Sequence, residues 1–343
     1  MNDRYRLYGA LGSPYAAKMR AILRYRHLPF DWVPADFYWA PDYTSPPPEI
    51  ADVEPAIIPV LWFPHDGSYR TDSTVLAYHL EGLHSERSLI PDDPGQAFLS
   101  HLLEDMGDEW GVKMAFQLRW GNELDNEFTS RMVLGEILGF AADEATVTAA
   151  AKQFRDRQVG RMPYVGCTPY NAPLIEETYR RALDIVSMLP GTSPFFFGTR
   201  PGLADFGWYG ALFTLSRDPT PGETMRRRSH ATCRWVQLLD EASGVSGDWL
   251  DPSAPTPAPV MEMLRLAADV YLPFLQANEK AYREGEEMVN FSALGMPFEQ
   301  GTFRYQVKCF QWLKDEYAAL EGAPRERVTR VLDETGCLAA LRG

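Results

Sequence analysis

Three short groups of residues in this 343-residue chain have types and spacing suited to chemistry. Gly12-Ser13-Pro14-Tyr15-Ala16 places a hydroxyl just before an amphipathic run. There the free N–H groups and the positive dipole end of a helix favour a bound or developing anion. Ile57-Ile58-Pro59-Val60 puts a proline ahead of a short apolar strand. Proline cannot donate to a ladder; a cis bond at this point would turn the chain sharply, and the backbone of Ile58 would then be left for an extended peptide. Asp72-Ser73 opens another helical run, an anion-ready terminus beside a carboxylate that can accept from an ammonium. Singly, these are a helix cap, a strand start and an N-cap pair. Their order within one layout is what favours function.

The elements that must position them follow from periodicity and turn residues. Arg4-Tyr5-Arg6-Leu7 alternates as a half-buried strand and is broken by Gly12 and Pro14. Tyr15, Met19, Ile22 and Leu23 then share one helical face, with Lys18, Arg20 and Arg24 expected on the others and Pro14 in the first turn. Phe30-Asp31-Trp32-Val33 predicts a second strand. Val60-Leu61-Trp62-Phe63 and Ser68-Tyr69-Arg70 predict a hairpin across the Asp66-Gly67 turn. Leu76, Leu80 and Leu83 mark the helix after Asp72-Ser73. A polar stretch from His84 to Gly95, with Pro91 and Pro94, reads as a linker. Beyond it the pattern predicts helices, first through Leu99, Leu102, Leu103, Met106 and Trp110, then at 122–142, 173–189, 203–216 and 230–242. Asp251 to Pro259 reads as a proline-rich spacer, followed by helical periodicity at 260–282 and 303–320.

Composition sets the limits. The charge of −14 lacks the Lys/Arg excess needed for a nucleic-acid footprint, so no nucleic-acid partner is expected. No apolar run approaches the ~20 residues of a membrane span. The N-terminus lacks an apolar signal core, and Cys167, Cys233, Cys309 and Cys337 are too scattered for a disulfide framework or a paired-Cys zinc site. A soluble, cytoplasmic protein with no membrane partner and no metal is the expectation. No His-Glu-x-x-His, phosphate-cradling glycine loop or Gly-x-Ser-x-Gly elbow occurs.

The layout resembles the thioredoxin-like N-terminal domain of the glutathione transferase superfamily, followed by that superfamily's all-helical domain. Ser13-Pro14-Tyr15-Ala16 is similar to the Cys-Pro-Tyr-Cys of glutaredoxins without either sulfur, and to the Ser-Pro-Tyr start of serine-type glutathione transferases. Asp72-Ser73 is similar to the acidic or amide residue plus Ser that holds the γ-glutamyl end of glutathione. Pro59 is similar to the cis-proline whose preceding residue, here Ile58, pairs with the cysteinyl backbone. Pro201-Gly202-Leu203-Ala204-Asp205-Phe206 resembles the capping-box segment with its buried Asp205, although Gly202 replaces the usual Ser or Thr. Asp72 is one methylene shorter than Glu, and the resemblance says nothing specific about residues from about 251 onward.

The resemblance implies an α/β thioredoxin-like domain with a mixed four-stranded sheet at 1–84, an all-α domain at 95–250, and an additional helical extension at 251–343. It implies a glutathione-dependent transferase, with glutathione as co-substrate, an apolar electrophile as partner, and a homodimer. Disulfide exchange needs a protein thiolate, and Ser13-Pro14-Tyr15-Ala16 has no cysteine to supply one, so Ser13 is expected to donate to the glutathione sulfur. Tyr15 and Tyr8 are rival hydroxyls. Ile58, Pro59, Asp72 and Ser73 are expected to bind glutathione, with Trp39 or Arg70 as weaker candidates for its glycyl carboxylate. The electrophile site is expected at Tyr15, Trp110 and Met114, with Phe116 and Trp120 near them; such a stripe is usually the ordinary content of a core. The alternatives are a transferase-like ligand-binding or interaction protein without turnover, and an enzyme of narrow task such as ether cleavage, dehalogenation or isomerisation.

Overall fold

The computed structural model describes residues 4–37, 47–139, 142–191 and 193–342. Its sheet has four strands in the order β2-β1-β3-β4: β1 Tyr5–Gly9, β2 Phe30–Pro34, β3 Val60–Trp62 and β4 Tyr69–Thr71. β1 and β2 run parallel, with α1 (Pro14–Tyr25) as their crossover; β3 pairs antiparallel with both β1 and β4. Strand alternation sends Leu7 and Leu61 into the main core with Ile22 of α1 and Leu76 and Leu80 of α2 (Ser73–Leu83). Tyr8 and Val60 point into a smaller cluster with Ala35, Phe37 and Ile50. This is the thioredoxin-like arrangement.

Lys18 and Arg20 do not occupy an outer face of α1: they are 0% and 9% exposed. The helix has the sheet on one side and α8 (Leu203–Arg217) on the other, so polar residues within it are buried as well. Each charge is retained because it is paired, Lys18 with Glu104 and Asp108, and Arg20 with Asp240. α8 packs closely enough that a Cβ on Gly210 would lie 2.8 Å or nearer to backbone, at 2.7 Å from the Pro14 carbonyl oxygen. Glycine there is a requirement of the fold at the very start of α1.

From Pro94 the chain is helical: α3 Pro94–Glu109, α4 Gly111–Trp120, α5 Glu123–Leu138, α6 Glu144–Arg161, α7 Ala172–Val186, then α8, α9 Pro219–Arg228 and α10 His230–Asp240. Asp205 accepts from the backbone N–H of Gly202 at 2.9 Å and of Phe196 at 3.1 Å. Gly202 has no side chain to complete the reciprocal cap.

The last part contains α11 Ala258–Leu266, α12 Leu272–Glu284, α13 Arg304–Ala319, α14 Gly322–Thr335 and α15 Leu338–Arg342. The periodic run at 260–282 is interrupted by a π-helical turn, Ala267–Tyr271. Pro273 follows it, and a ring that cannot donate and that crowds the carbonyl four residues back accounts for the widened turn. The extension is helical as expected but also carries a hairpin absent from the sequence expectation: β5 Met288–Ala293 and β6 Met296–Gly301 pair antiparallel. Val289, Ala293, Phe298 and Gln300 face inward. Trp110, Phe274, Phe291 and Phe298 form a continuous aromatic cluster with centroid separations from 5.2 to 5.9 Å. One core therefore joins the hairpin to the helices before it.

Candidate active site

The strand register gathers the expected residues at one end of the sheet. Tyr8 lies opposite Val60, and Val60 opposite Thr71. The segments that leave this edge are Gly9 to Ser13, Ile58-Pro59 and Asp72-Ser73. The Ile58–Pro59 peptide is cis. Thr71 Oγ1 braces the bend by bonding the carbonyls of Ile57 at 2.9 Å and Pro59 at 2.8 Å. Among the described residues, neither the N–H nor the C=O of Ile58 has a hydrogen-bond partner. That is a short open backbone edge.

Ser13 caps α1: its Oγ accepts from Ala16 N–H at 3.3 Å, in an extended conformation ahead of Pro14. Its own proton meets no acceptor among the described residues. The rival phenols sit otherwise. Tyr8 is 2% exposed on the opposite face of the sheet, packed on Tyr69, and burial raises its pKa. Tyr15 donates to the Asp108 carbonyl at 3.2 Å. Burial, then the carboxylates of Glu109, Asp108 and Asp72, push its pKa well above the usual phenol value. Neither phenol is suited to forming a phenolate.

Asp72 adopts φ 76, ψ 110, an unusual conformation for a side-chain-bearing residue and one that clusters at functional sites. Its Oδ1 caps α2 through the N–H groups of Thr74 at 3.2 Å and Val75 at 3.4 Å. The N–H of Ser73 has no partner among the described residues. The Ser73 hydroxyl, however, donates to Asp108 Oδ2 at 3.1 Å, and Thr74 Oγ1 donates to Glu104 Oε1 at 2.6 Å. Lys18 binds both acids, lying 2.7 Å from Asp108 Oδ2. Burial works to lower the Lys18 pKa, but Asp108 and Glu104 together outweigh burial and raise the pKa above the usual lysine value. Burial raises the pKa of Asp108, with Lys18 opposing and Glu104 adding to the rise.

The last part of the chain reaches this end of the sheet. Tyr305, in the first turn of α13, donates to Asp72 Oδ2 at 2.6 Å. Gln306 Nε2 donates to Glu109 Oε2 at 3.2 Å, and Tyr271 donates to Asp105 Oδ2 at 2.6 Å. The Glu109 pKa is pushed up to about 8 by burial, with Asp105 and Asp108 adding repulsion. The unfolded chain ionises this group near its ordinary value while the folded chain keeps the proton, so stability falls as pH rises from about 4.5 to about 8. Glu109→Gln is expected to flatten that decline and to stabilise the chain at pH 8 by at least ~1 kcal/mol. Melting temperatures of both proteins across this range check it; parallel curves would refute it.

Trp110 and Met114, expected to line an electrophile site, have no exposed surface. Trp110 is enclosed by Phe274 and Phe298, and Trp120, 4% exposed, packs on Phe154. Phe116 is partly buried against the core. Arg70 is engaged with Ser68, Asp66 and His79 on the surface, and Trp39 lies outside the described residues. Sequence reasoning missed Lys18, Glu104, Asp108 and Tyr305. For the acids, the only signal was their i, i+4 spacing on a helix otherwise read by its apolar stripe; for Tyr305 there was none. Among the described residues, no group of three or more His, Cys, Asp or Glu could hold a metal ion, and no helix is long and apolar enough to cross a membrane.

The architecture is therefore a thioredoxin-like domain followed by a helical region that carries the β5–β6 hairpin near its end. Residues 7–88 match the family model described as the glutathione S-transferase N-terminal domain. Among solved structures, the chain is similar to a glutathione S-transferase of Methylobacterium radiotolerans in complex with glutathione sulfonate. The identity is 21% over 74% of this chain and 99% of that one, with a TM-score of 0.43. It is also similar to the β-etherase LigF of Sphingobium sp. strain SYK-6, at 16% identity over 76% of this chain and 98% of that one, TM-score 0.47. A Tau class glutathione S-transferase of mango, Mangifera indica, matches at 17% over 79% and 99%, TM-score 0.42. No curated protein matches the chain.

Proposed function

We propose that the protein is a glutathione-dependent transferase of serine type, in which Ser13 holds the sulfur as thiolate for attack on an apolar electrophile. The observation that carries this reading is the backbone of Ile58, unpartnered among the described residues, beside cis-Pro59 at the sheet end where Ser13 opens α1. An extended cysteinyl residue pairing with Ile58 would bring its sulfur toward the free Ser13 hydroxyl and the helix terminus. The amino end of the peptide would lie toward Asp72 and the N–H of Ser73, which is unpartnered among the described residues. The electrophile would approach from the Leu11–Ser13 side, since Trp110 and Met114 are enclosed and Tyr15 is committed to Asp108. A homodimer is proposed with this reading, and light scattering tests it. Calorimetric titration with glutathione, followed by turnover of aryl halides, epoxides and aryl ethers, tests the function. Absence of glutathione binding would refute it.

A second reading is favoured by one observation: Asp72 Oδ2 and Ser73 Oγ are both engaged, by Tyr305 and Asp108. On that reading the chain is a transferase-like ligand-binding protein without turnover. Tyr305→Phe separates the two. Removing a hydroxyl that competes for the carboxylate is expected to tighten glutathione binding up to about tenfold, the scale of one hydrogen bond to a charged group. Affinity that stays undetectable in both proteins would leave only the second reading.

A further inference from the structure

The turn that delivers Ser13 is held from outside its own domain. Leu11 N–H donates to Glu136 Oε2 at 2.7 Å, and Glu136 Oε1 accepts from Trp32 Nε1 at 3.1 Å. The next carbonyl, that of Gly12, accepts from Arg119 Nη1. Arg119 is 5% exposed and is itself fixed by Asp218, through Nε at 2.7 Å and Nη2 at 3.3 Å. Asp218 also takes the Thr129 hydroxyl at 2.7 Å. Between these two grips α5 comes so close that a Cβ on Gly12 would lie 2.3 Å from Val133 Cγ2.

We propose that Glu136 on α5 and Arg119 on α4 are positioning residues for Ser13, setting the place of its hydroxyl by gripping the Leu11 N–H and the Gly12 C=O. The proposal rests on the reading of Ser13 as the group that faces the glutathione sulfur. Neither side chain touches the sulfur; each acts through the turn. Ser13 N–H is bonded back to Ala10 at 2.9 Å, so the turn moves as a unit and a grip at Leu11 and Gly12 is transmitted to the next residue. With Val133 in place the α5 contact leaves no room for a Cβ at Gly12, and it ties the turn to the helical part of the chain. A catalytic hydroxyl displaced by an ångström loses most of its advantage, because a hydrogen bond weakens steeply away from its preferred distance and angle.

The test uses the full chain with Glu136→Ala, which removes both acceptors, and Glu136→Gln, whose amide oxygen can still accept from Leu11. Arg119→Met provides an independent second variant. The thiol pKa of bound glutathione is titrated by thiolate absorbance, alongside affinity for S-methylglutathione, which has no ionisable thiol. In Glu136→Ala and Arg119→Met the thiol pKa is expected to rise by about one unit, a tenfold fall in the ratio of thiolate to thiol at a given pH. S-methylglutathione affinity should stay within twofold, and Glu136→Gln should retain most of the shift. A general loss of structure would weaken both ligands together, and that result would overturn the proposal. So would an unchanged thiol pKa in folded Glu136→Ala and Arg119→Met. Amide hydrogen exchange at Leu11 separates this failure from failure of the functional reading. Should the wild type leave the thiol pKa unshifted, the reading of Ser13 falls; at least tenfold faster exchange at Leu11 in Glu136→Ala would still uphold the grip on the turn, and unchanged exchange would overturn it.

Discussion

Lys18→Met is expected to destabilise the chain by about 3–5 kcal/mol, the cost of removing one partner from a buried ion group. Lys18 has no exposed surface, and its ammonium is the cation that faces Glu104 and Asp108 between α1, α2 and α3. The methionine fills similar volume, so the loss comes from two carboxylates left together in a low-dielectric site rather than from a cavity. The pH dependence has a definite sign. Asp108 already has a raised pKa, and loss of Lys18 raises it further. The stability penalty of a carboxylate with raised pKa is absent at low pH and accumulates as pH rises from the unfolded value through the folded one. Urea unfolding of Lys18→Met should therefore differ least from wild type at pH 5 and most at pH 8. Adding Glu104→Gln and Asp108→Asn to Lys18→Met should recover most of the loss. A penalty independent of pH, or one not recovered in the triple variant, would assign Lys18 to packing alone.

The contrast between Lys18 and its helix shows what the sequence conveys. Pro14, Asp66-Gly67 and Asp72 act through local backbone geometry, so they mark the helix start, the hairpin and the next cap wherever they stand. The thioredoxin-like order was legible for that reason. Whether a polar residue between apolar ones faces water depends on what covers the helix, and α8, which buries the second face of α1, is far away in sequence. The same distance hides Tyr305, which meets Asp72 across 233 positions. The β5–β6 hairpin escaped for a local reason: its turn uses Leu294 at φ 52 before Gly295 at φ 73, where Asn or Asp would have signalled it. Trp110 and Met114 could have lined a cleft by their spacing; both are buried, Trp110 beneath rings of the hairpin and α12, and spacing carries no information about that.

Ser13→Ala is expected to lower turnover with glutathione 10- to 100-fold, corresponding to loss of one charge-assisted hydrogen bond of roughly 1.5–3 kcal/mol to the thiolate. The same loss should raise the bound thiol's pKa by one to two units, since about 1.4 kcal/mol of differential interaction corresponds to one unit. Ser13 has a second duty that must be separated from the first. Its Oγ caps α1 through Ala16 N–H, and alanine gives up that cap at a cost of about 1 kcal/mol in stability. Glycine at an N-cap costs only a few tenths of a kcal/mol, yet it also lacks the hydroxyl. Ser13→Gly and Ser13→Ala should therefore share the rise in thiol pKa and the fall in turnover while differing in melting temperature. Proportional losses of turnover and stability in the two variants would reduce Ser13 to a helix cap. An unchanged thiol pKa in both would leave the dipole of α1 as the remaining source of any thiolate stabilisation, and that terminal field amounts to no more than about 0.3–1 kcal/mol at a site open to solvent.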